Sequence, residues 1–365
     1  MTFDPQAHDM THELDRLGFG RFRALFAGHA AAGLEPGRVV RTSRGHLWVA
    51  LASGVVRVGP EGNLPGAERT DESAVVGDWV AVRPGDDVSP PVVEALLPRH
   101  SCFVRGDSGK AAKAQILAAN IDTVFILAAM DTGANVRRIE RELALAWESG
   151  AVPVVVLSKA DLLEDRDAAV EAVHAVAPGV EVVFESAKTG EGLLELRAYA
   201  EGNRTVALIG PSGAGKSTLV NSLVGGDVQR VSEVRVHDSK GRHTTVSREL
   251  VPLPDGGALI DTPGLRAVAM WGEDDGVDTA FVDVTDLAAQ CRFDDCSHTT
   301  EPGCAVLAAV EAGTLSQDRL DAYRGLLDES ASQVRRQVVR QRAVADVARP
   351  GQKAPRVRYR RGDAD

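Results

Sequence analysis

One segment constrains this chain more than any other: Gly210, Pro211, Ser212, Gly213, Ala214, Gly215, Lys216, Ser217 and Thr218 spell GPSGAGKST. The pattern G-x-x-x-x-G-K-[ST] is preceded by the apolar run TVALI and followed by KSTLVNSLV. Strand, loop and helix thus stand in the order a phosphate-binding loop requires. Backbone N–H groups of such a loop converge on phosphate oxygens, and Gly213 and Gly215 let the backbone approach. Lys216 reaches the terminal phosphates and Ser217 ligates Mg²⁺. The helix N-terminus adds favourable potential for an anion. A ligand-free Gly-rich turn is the bland alternative, and it leaves the Lys-Ser pair unexplained. The loop lies past the middle of a 365-residue chain, so some two hundred residues precede it.

The partner motifs flank the loop in an unusual order. Downstream, Asp261-Thr-Pro-Gly264 closes a second apolar strand, ALI. An Asp at a strand end can hold Mg²⁺ through a water, and Gly264 can donate its N–H to a γ-phosphate. Between them, SKGRHTTVSREL offers Thr244 or Thr245 to complete the Mg²⁺ shell, and the sequence does not separate the two. Upstream, Ser158, Lys159, Ala160 and Asp161 follow the strand-like VPVVVL and match N/T-K-x-D. There the Asp accepts from guanine N1–H and the 2-amino group, while the Lys stem lies along the base. Adenine lacks both donors and would leave the carboxylate unpaired, which selects strongly for guanine. Ser158 replaces the commoner Asn that braces the phosphate loop, so a weaker brace is expected. Ser186, Ala187 and Lys188, after the next strand, match the loop whose backbone N–H meets guanine O6. Base-reading motifs ahead of the phosphate loop imply a circularly permuted GTPase domain, with GTP or GDP and Mg²⁺ as its ligands.

Many GTPases place a Gln after the D-x-x-G glycine to orient the attacking water. Leu265 stands there and cannot do so. His243, beside the two Thr residues, is the candidate catalytic group, since imidazole can orient or polarise water. The alternative is a solvated His243, with hydrolysis completed by a partner. Gly213 occupies the position of the Asn found in potassium-activated loops, so potassium dependence is not expected.

The rest of the chain changes texture several times. Residues 1–34 are Ala-rich and partly helical. Residues 35–106 alternate apolar and polar residues with Gly and Ser breaks, the pattern of a small all-β barrel or sandwich. Residues 107–272 alternate apolar strands with helical stretches, which argues for a parallel α/β sheet. In residues 273–335, Cys291, Cys296, His298 and Cys304 form C-x4-C-x-H-x5-C. Three thiolates and an imidazole make a closed tetrahedral set, the structural Zn²⁺ type. The loop carrying them has little apolar content, so metal would supply its folding energy. Residues 336–365 form a basic tail. From Ser332 onward ten Lys/Arg face three Asp/Glu, a net of +7, which leaves −18 on the rest of a chain of net charge −11. A tail of that sign suits an anionic partner such as nucleic acid, or is simply a solvated terminus. No apolar run is long enough to span a bilayer, and the start lacks a basic, apolar signal, so a cytoplasmic protein is expected.

Taken together, GPSGAGKST preceded by SKAD, then GRHTT, DTPGL and CRFDDCSHTTEPGC, resemble the circularly permuted ribosome-biogenesis GTPases called RsgA or YjeQ. The resemblance spans roughly residues 35–330. It implies an N-terminal OB-fold, a central permuted P-loop GTPase domain and a small, mostly helical zinc domain. It also implies a factor that binds the small ribosomal subunit and its rRNA late in maturation. A monomer with no membrane partner is expected, although the sequence does not itself reveal the oligomeric state. The subunit stimulates GTP hydrolysis and hydrolysis releases the factor. The family's switch-loop His matches His243. Arg38, Arg41, Arg44, Arg57 and Trp48 offer cations and an aromatic for RNA on the OB-fold, although Trp48 is expected chiefly as a core residue. A GTPase switch on a protein or membrane partner, and a non-enzymatic RNA-binding scaffold, are the competing readings. Intact Lys216, Ser217, Asp161 and Asp261 argue against the scaffold.

Overall fold

The computed structural model describes residues 10–43, 46–59, 73–86, 88–106, 114–129, 136–225, 248–261 and 275–331. The chain opens with α1 (Met10–Arg16), a 3-10 turn at Phe19–Arg21 and α2 (Arg23–Ala31). Five strands follow: β1 (Glu35–Ser43), β2 (His46–Leu51), β3 (Gly54–Val58), β4 (Trp79–Arg83) and β5 (Val92–Leu96). They pair antiparallel in the order β3-β2-β1-β4-β5, the order of a five-stranded OB barrel opened between β3 and β5. A bulge at Val39–Arg41 bends β1, whose residues 35–38 pair with β4 and whose residues 38–43 pair with β2. Alternate residues, Leu47, Val49 and Leu51 among them, fill the barrel with Val39, Val80, Val82 and Val93. At Gly37 a Cβ would lie 2.4 Å from Val49 Cγ1, so only glycine fits.

Next come the hairpin β6 (Cys102–Gly106) and β7 (Ala114–Ala119), then β8 (Thr123–Ala129), α3 (Val136–Glu148), β9 (Val152–Ser158), α4 (Arg166–His174) and β10 (Glu181–Glu185). The chain continues through α5 (Leu193–Ala198), β11 (Thr205–Ile209), α6 (Lys216–Val224), β12 (Arg248–Pro252) and β13 (Ala258–Asp261). Strands β10-β9-β8-β11-β13 are parallel neighbours, and β12 closes them antiparallel. Period-two alternation supplies both faces. Val124, Ile126 and Ala128 of β8 join one core, and Phe125, Leu127 and Ala129 join the other. Both faces are covered, which is why these strands read as continuous apolar runs.

β1 also pairs with β12, through Arg41 opposite Glu249 and Thr42 opposite Arg248. Barrel and α/β strands therefore form one eleven-stranded sheet. The N-terminal segment is built into this junction. Leu14, Leu17, Phe19, Phe22 and Phe26 are buried, and Phe19 and Phe22 lie 5.2 and 5.6 Å from the Trp79 ring. Arg38, read from sequence as RNA-facing, is instead buried here. It donates to the Leu17 carbonyl and to Thr205 Oγ1 at 2.6 Å, with its guanidinium 5.3 Å from the Trp79 ring. Trp48 departs from its expected core place. It is half-buried on the barrel's outer side, because its strand neighbours Leu47 and Val49 take the inward positions.

The C-terminal part is helical: α7 (Asp275–Ala280), α8 (Val282–Ala288), α9 (Ala305–Glu311) and α10, residues 317–331. Arg319 of α10 ties it to the α/β body. Its five N–H groups are all used: Nε and one Nη2 hydrogen meet Asp283, the other Nη2 hydrogen meets the Ala280 carbonyl, and Nη1 meets Glu140 Oε1 and the Val176 carbonyl, at 2.8–3.0 Å. The guanidinium also lies 4.0 Å from the Phe281 ring centroid. Among the described residues no helix is long and apolar enough to cross a membrane.

Glu140 is buried, so Arg319→Ala strands a carboxylate in the interior and should cost about 3–5 kcal/mol in urea unfolding. Replacing both partners by Leu should recover much of that loss. A loss below about 1 kcal/mol for Arg319→Ala would show that the pair behaves as a surface contact.

Candidate functional site

The parallel register sets the carboxyl ends of five strands along one edge. Ala129 lies opposite Ser158, Ser158 opposite Glu185, and Ile209 opposite Ile126. From β8 the chain steps outward to β9 and β10. From β11 it steps the other way, to β13 and β12. The crevice at this reversal is where ligands bind in such sheets, and the phosphate loop leaves β11 there.

The loop's shape follows from its glycines. Gly210 (φ 142°) passes so close to β8 that a Cβ would sit 2.7 Å from the Leu127 carbonyl oxygen. Gly213 and Gly215 take left-handed φ of 81° and 84°. Ala214 is buried beneath the loop, and Ser212, Gly213, Ser217 and Thr218 are exposed. Gly215 caps α6 without a side chain, so the first-turn amides are available to an anion. The Lys216 ammonium spans the loop, donating to the Gly210 carbonyl at 2.7 Å and to that of Pro211. An amide-lined loop with an ammonium across it can hold phosphate oxygens.

The base-reading motifs lie beside it. Ser158, fully buried at the end of β9, donates its hydroxyl to the Ala214 carbonyl at 2.9 Å. The shorter side chain therefore still braces the phosphate loop. Lys159 turns the chain with φ 59°, and Ala160–Leu162 form a 3-10 turn that presents Asp161. The Asp161 carboxylate accepts from the Ser186 hydroxyl at 2.8 Å and from Lys188 at 3.3 Å. The Ser186 bond chiefly, and Lys188 after it, hold its pKa below the usual carboxylate range, so it is an ionised acceptor at neutral pH. Ala187 is half-buried between them. Asp261 ends β13 and is half-buried. The register pairs Ala207 with Ile260, which brings Asp261 to the same edge. His243, Thr244, Thr245 and Gly264 lie outside the described residues.

Glu185 escapes the motif reading. It is buried at the end of β10, and among the described residues its Oε1 has no hydrogen-bond partner. Burial chiefly, with the Asp161 charge adding, pushes its pKa up to about 6. The only sequence signal is a charge ending an apolar strand, VVFE.

The second candidate site is the thiol cluster. Ligand atoms of Cys291, Cys296, His298 and Cys304 all lie within 4.8 Å of one another. Cys291 Sγ is 3.6 Å from His298 Nδ1 and 3.7 Å from Cys304 Sγ, and His298 Nδ1 is 3.4 Å from Cys304 Sγ. A tetrahedron with Zn–S of about 2.3 Å and Zn–N of about 2.0 Å has edges of roughly 3.5–3.8 Å, so the set is compatible with zinc. Cys304 caps α9 and accepts from the Leu307 N–H at 3.4 Å. The fourth cysteine, Cys102, lies apart on β6, where burial chiefly pushes its thiol pKa up.

Comparison with known proteins agrees with this geometry. A family model described as RsgA GTPase matches residues 96–271. A Streptomyces avermitilis protein named small ribosomal subunit biogenesis GTPase RsgA is 48% identical over 88% of this chain and 86% of its own. Of solved structures, YjeQ from Thermotoga maritima is 28% identical, with a TM-score of 0.59 over 80% of this chain and 99% of that one. YloQ, described as a circularly permuted GTPase, is 23% identical with a TM-score of 0.56 over 82% and 96%, a likeness of fold.

Because the folded pKa of Glu185, about 6, stands above the ordinary 4.5, the folded state binds the proton more tightly than the unfolded chain. Stability from this group is thus lost as pH rises from about 4.5 through about 6. Against Glu185→Gln, the wild type should lose about 2 kcal/mol between pH 4 and pH 8, read by urea unfolding at both. A difference that does not change with pH would show that the carboxyl titrates normally.

Proposed function

The chain belongs to the RsgA GTPase family, and from that premise we propose that it binds the small ribosomal subunit late in maturation, hydrolyses GTP when the subunit stimulates it, and is then released. The observation that carries this reading is the gathering of the phosphate loop, the Asp161–Ser186 pair and Asp261 on one sheet edge in permuted order.

In this reading the backbone N–H groups of residues 212–218 and Lys216 hold the phosphates, Lys216 exchanging the Gly210 and Pro211 carbonyls for phosphate oxygens. Ser217, Asp261 and Thr244 or Thr245 hold Mg²⁺, which neutralises charge on the phosphate oxygens. Asp161, oriented by Ser186, accepts from the guanine edge, the Lys159 stem flanks the base, and a backbone N–H of the loop of Ser186, Ala187 and Lys188 meets O6. Ser158 keeps the loop in register with the base. His243 orients the attacking water. Cys291, Cys296, His298 and Cys304 hold one structural Zn²⁺, which fixes the loop between α8 and α9.

The partner surface has two parts. On the barrel's outer side, the guanidinium groups of Arg41 and Arg57 lie 4.8 and 6.0 Å from the half-buried Trp48 ring, with His46 at 6.3 Å. Cations around an aromatic suit stacked bases of single-stranded rRNA. The basic tail, outside the described residues, supplies phosphate neutralisation that the acidic body lacks. The reading includes boundaries near residues 34, 106, 272 and 335, a monomer, and residence in the cytoplasm.

GTP turnover should be slow alone and strongly stimulated by purified small subunits. His243→Ala should lower the stimulated rate by about 10²–10⁴-fold. No stimulation would remove the subunit as activator and favour a protein or membrane partner. Stimulation that survives in the variant would move the catalytic group elsewhere. Separately, Asp161→Ala should erase most of the preference for GDP over ADP, worth up to about 10⁴-fold where a base-reading acceptor is left unpaired by the wrong base. An unchanged preference in competition binding would refute the base-reading role.

A further inference from the structure

The loop of the thiol cluster holds one residue in an unfavourable backbone state. His298 has φ 54°, the left-handed region that residues with a Cβ rarely adopt. No glycine is there to relax it, and the residue is buried. Such a conformation persists only where its surroundings over-determine it.

The surroundings converge on one carboxylate. Glu301 Oε1 accepts from the Ser297 N–H at 3.0 Å and from the Ser297 hydroxyl. Its Oε2 accepts from the N–H groups of Thr299 and Thr300 at 2.9 and 3.0 Å, and from the Thr299 hydroxyl at 3.4 Å. The residues on both sides of His298 are therefore tied to the same side chain, and their hydroxyls are 2.8 Å apart. Successive amides wrapped around an anion form a nest, here closed by a carboxylate of the loop itself. Pro302, next in sequence, restricts Glu301 to extended backbone, and Gly303 (φ 79°) turns the chain into Cys304.

We propose that Glu301 is the positioning residue of this centre: it clamps residues 297–300 so that His298 is presented to the thiolates of Cys291, Cys296 and Cys304. The inference rests on the reading that the cluster holds a metal ion. Removing the clamp frees the left-handed turn to relax, and the imidazole then no longer meets the three sulfurs in a fixed place. Outer partners of this kind typically change metal affinity by about 10–100-fold.

The test uses the full-length chain as purified, with zinc content and zinc transfer to a competing chromogenic chelator as readouts. The wild type should retain about one equivalent of zinc. Glu301→Ala should surrender it at about 10–100-fold lower chelator concentration, Glu301→Gln should fall between, and Ser297→Ala, which keeps the amide, should lose less. Circular dichroism reports whether each variant folds, and the isosteric Glu301→Gln carries the test if Glu301→Ala does not. Zinc held by Glu301→Gln and Glu301→Ala as tightly as by the wild type would overturn the role of Glu301 while leaving the metal centre in place. A wild type without zinc, indistinguishable from Cys304→Ser, would overturn the metal reading and the clamp together.

Discussion

The parallel pairing of β11 with β8 is the contact on which the site depends. Val206 lies opposite Thr123 and Ile209 opposite Ile126, joining a strand to one that precedes it by some eighty residues. That pairing puts the phosphate loop next to the strands that carry SKAD and SAK. It is so close at its carboxyl end that Gly210 admits no side chain against the Leu127 carbonyl. A sheet is indifferent to the order in which its strands are synthesised, provided that register and both apolar faces are kept. The alternation of β8, β9, β11 and β13 between two cores enforces that register, since a one-residue slip would exchange the faces.

The opposite edge of the same strands is held by polar groups. Asp122 accepts from the Thr205 N–H at 2.7 Å and pairs with Arg21. Arg38 reaches Leu17, Thr205 and the Trp79 ring from the barrel. Burial lowers the Arg38 pKa to about 10, still well above neutrality, so a charge persists there. Nearby, Asp78 is fully buried and accepts two bonds from Arg99. A buried charge is retained only where neighbours compensate its lost hydration. Here the compensating groups come from the N-terminal segment, the barrel and the α/β sheet together, so these parts specify one another's placement.

The nucleotide motifs are legible in sequence because their chemistry is local: backbone amides, one Lys and one Asp at fixed offsets from strand ends. The thiol cluster is legible for the same reason. What sequence does not reveal is set by long-range register. Nothing in GRVVRTS separates Arg38, whose side chain turns into the junction, from Arg41, whose side chain meets Trp48. A regular strand would set residues 38 and 41 on opposite faces; the bulge between them leaves both on the barrel's outer side. They differ in what covers them, Leu17 and Thr205 at Arg38 and Trp48 at Arg41. Trp48 is misjudged because a large aromatic is usually core. Here the inward positions beside it belong to smaller residues that fill a narrow barrel. The pairing of β1 with β12 is invisible as well, since strand edges carry no motif. Ser158 is partly legible: its substitution for Asn is plain, but the retained brace to Ala214 requires coordinates.

The C-terminal lobe makes a complementary case. Its helices α8 and α9 are seven residues each, too short to be stable on their own, and the segment joining them is polar. Local propensity therefore cannot fix where Cys304 sits relative to Cys291. Two non-local constraints do so instead. One is the convergence of four ligand atoms between the helices. The other is Arg319, which binds α7 and α8 to α10 and all three to Glu140 on α3. α3 descends from the edge that carries the nucleotide motifs. A charge buried on that helix and hydrogen-bonded by Arg319 of the C-terminal lobe couples the lobe's docking to the α/β core's own stability. The lobe is thus an integral support of the sheet it packs beside.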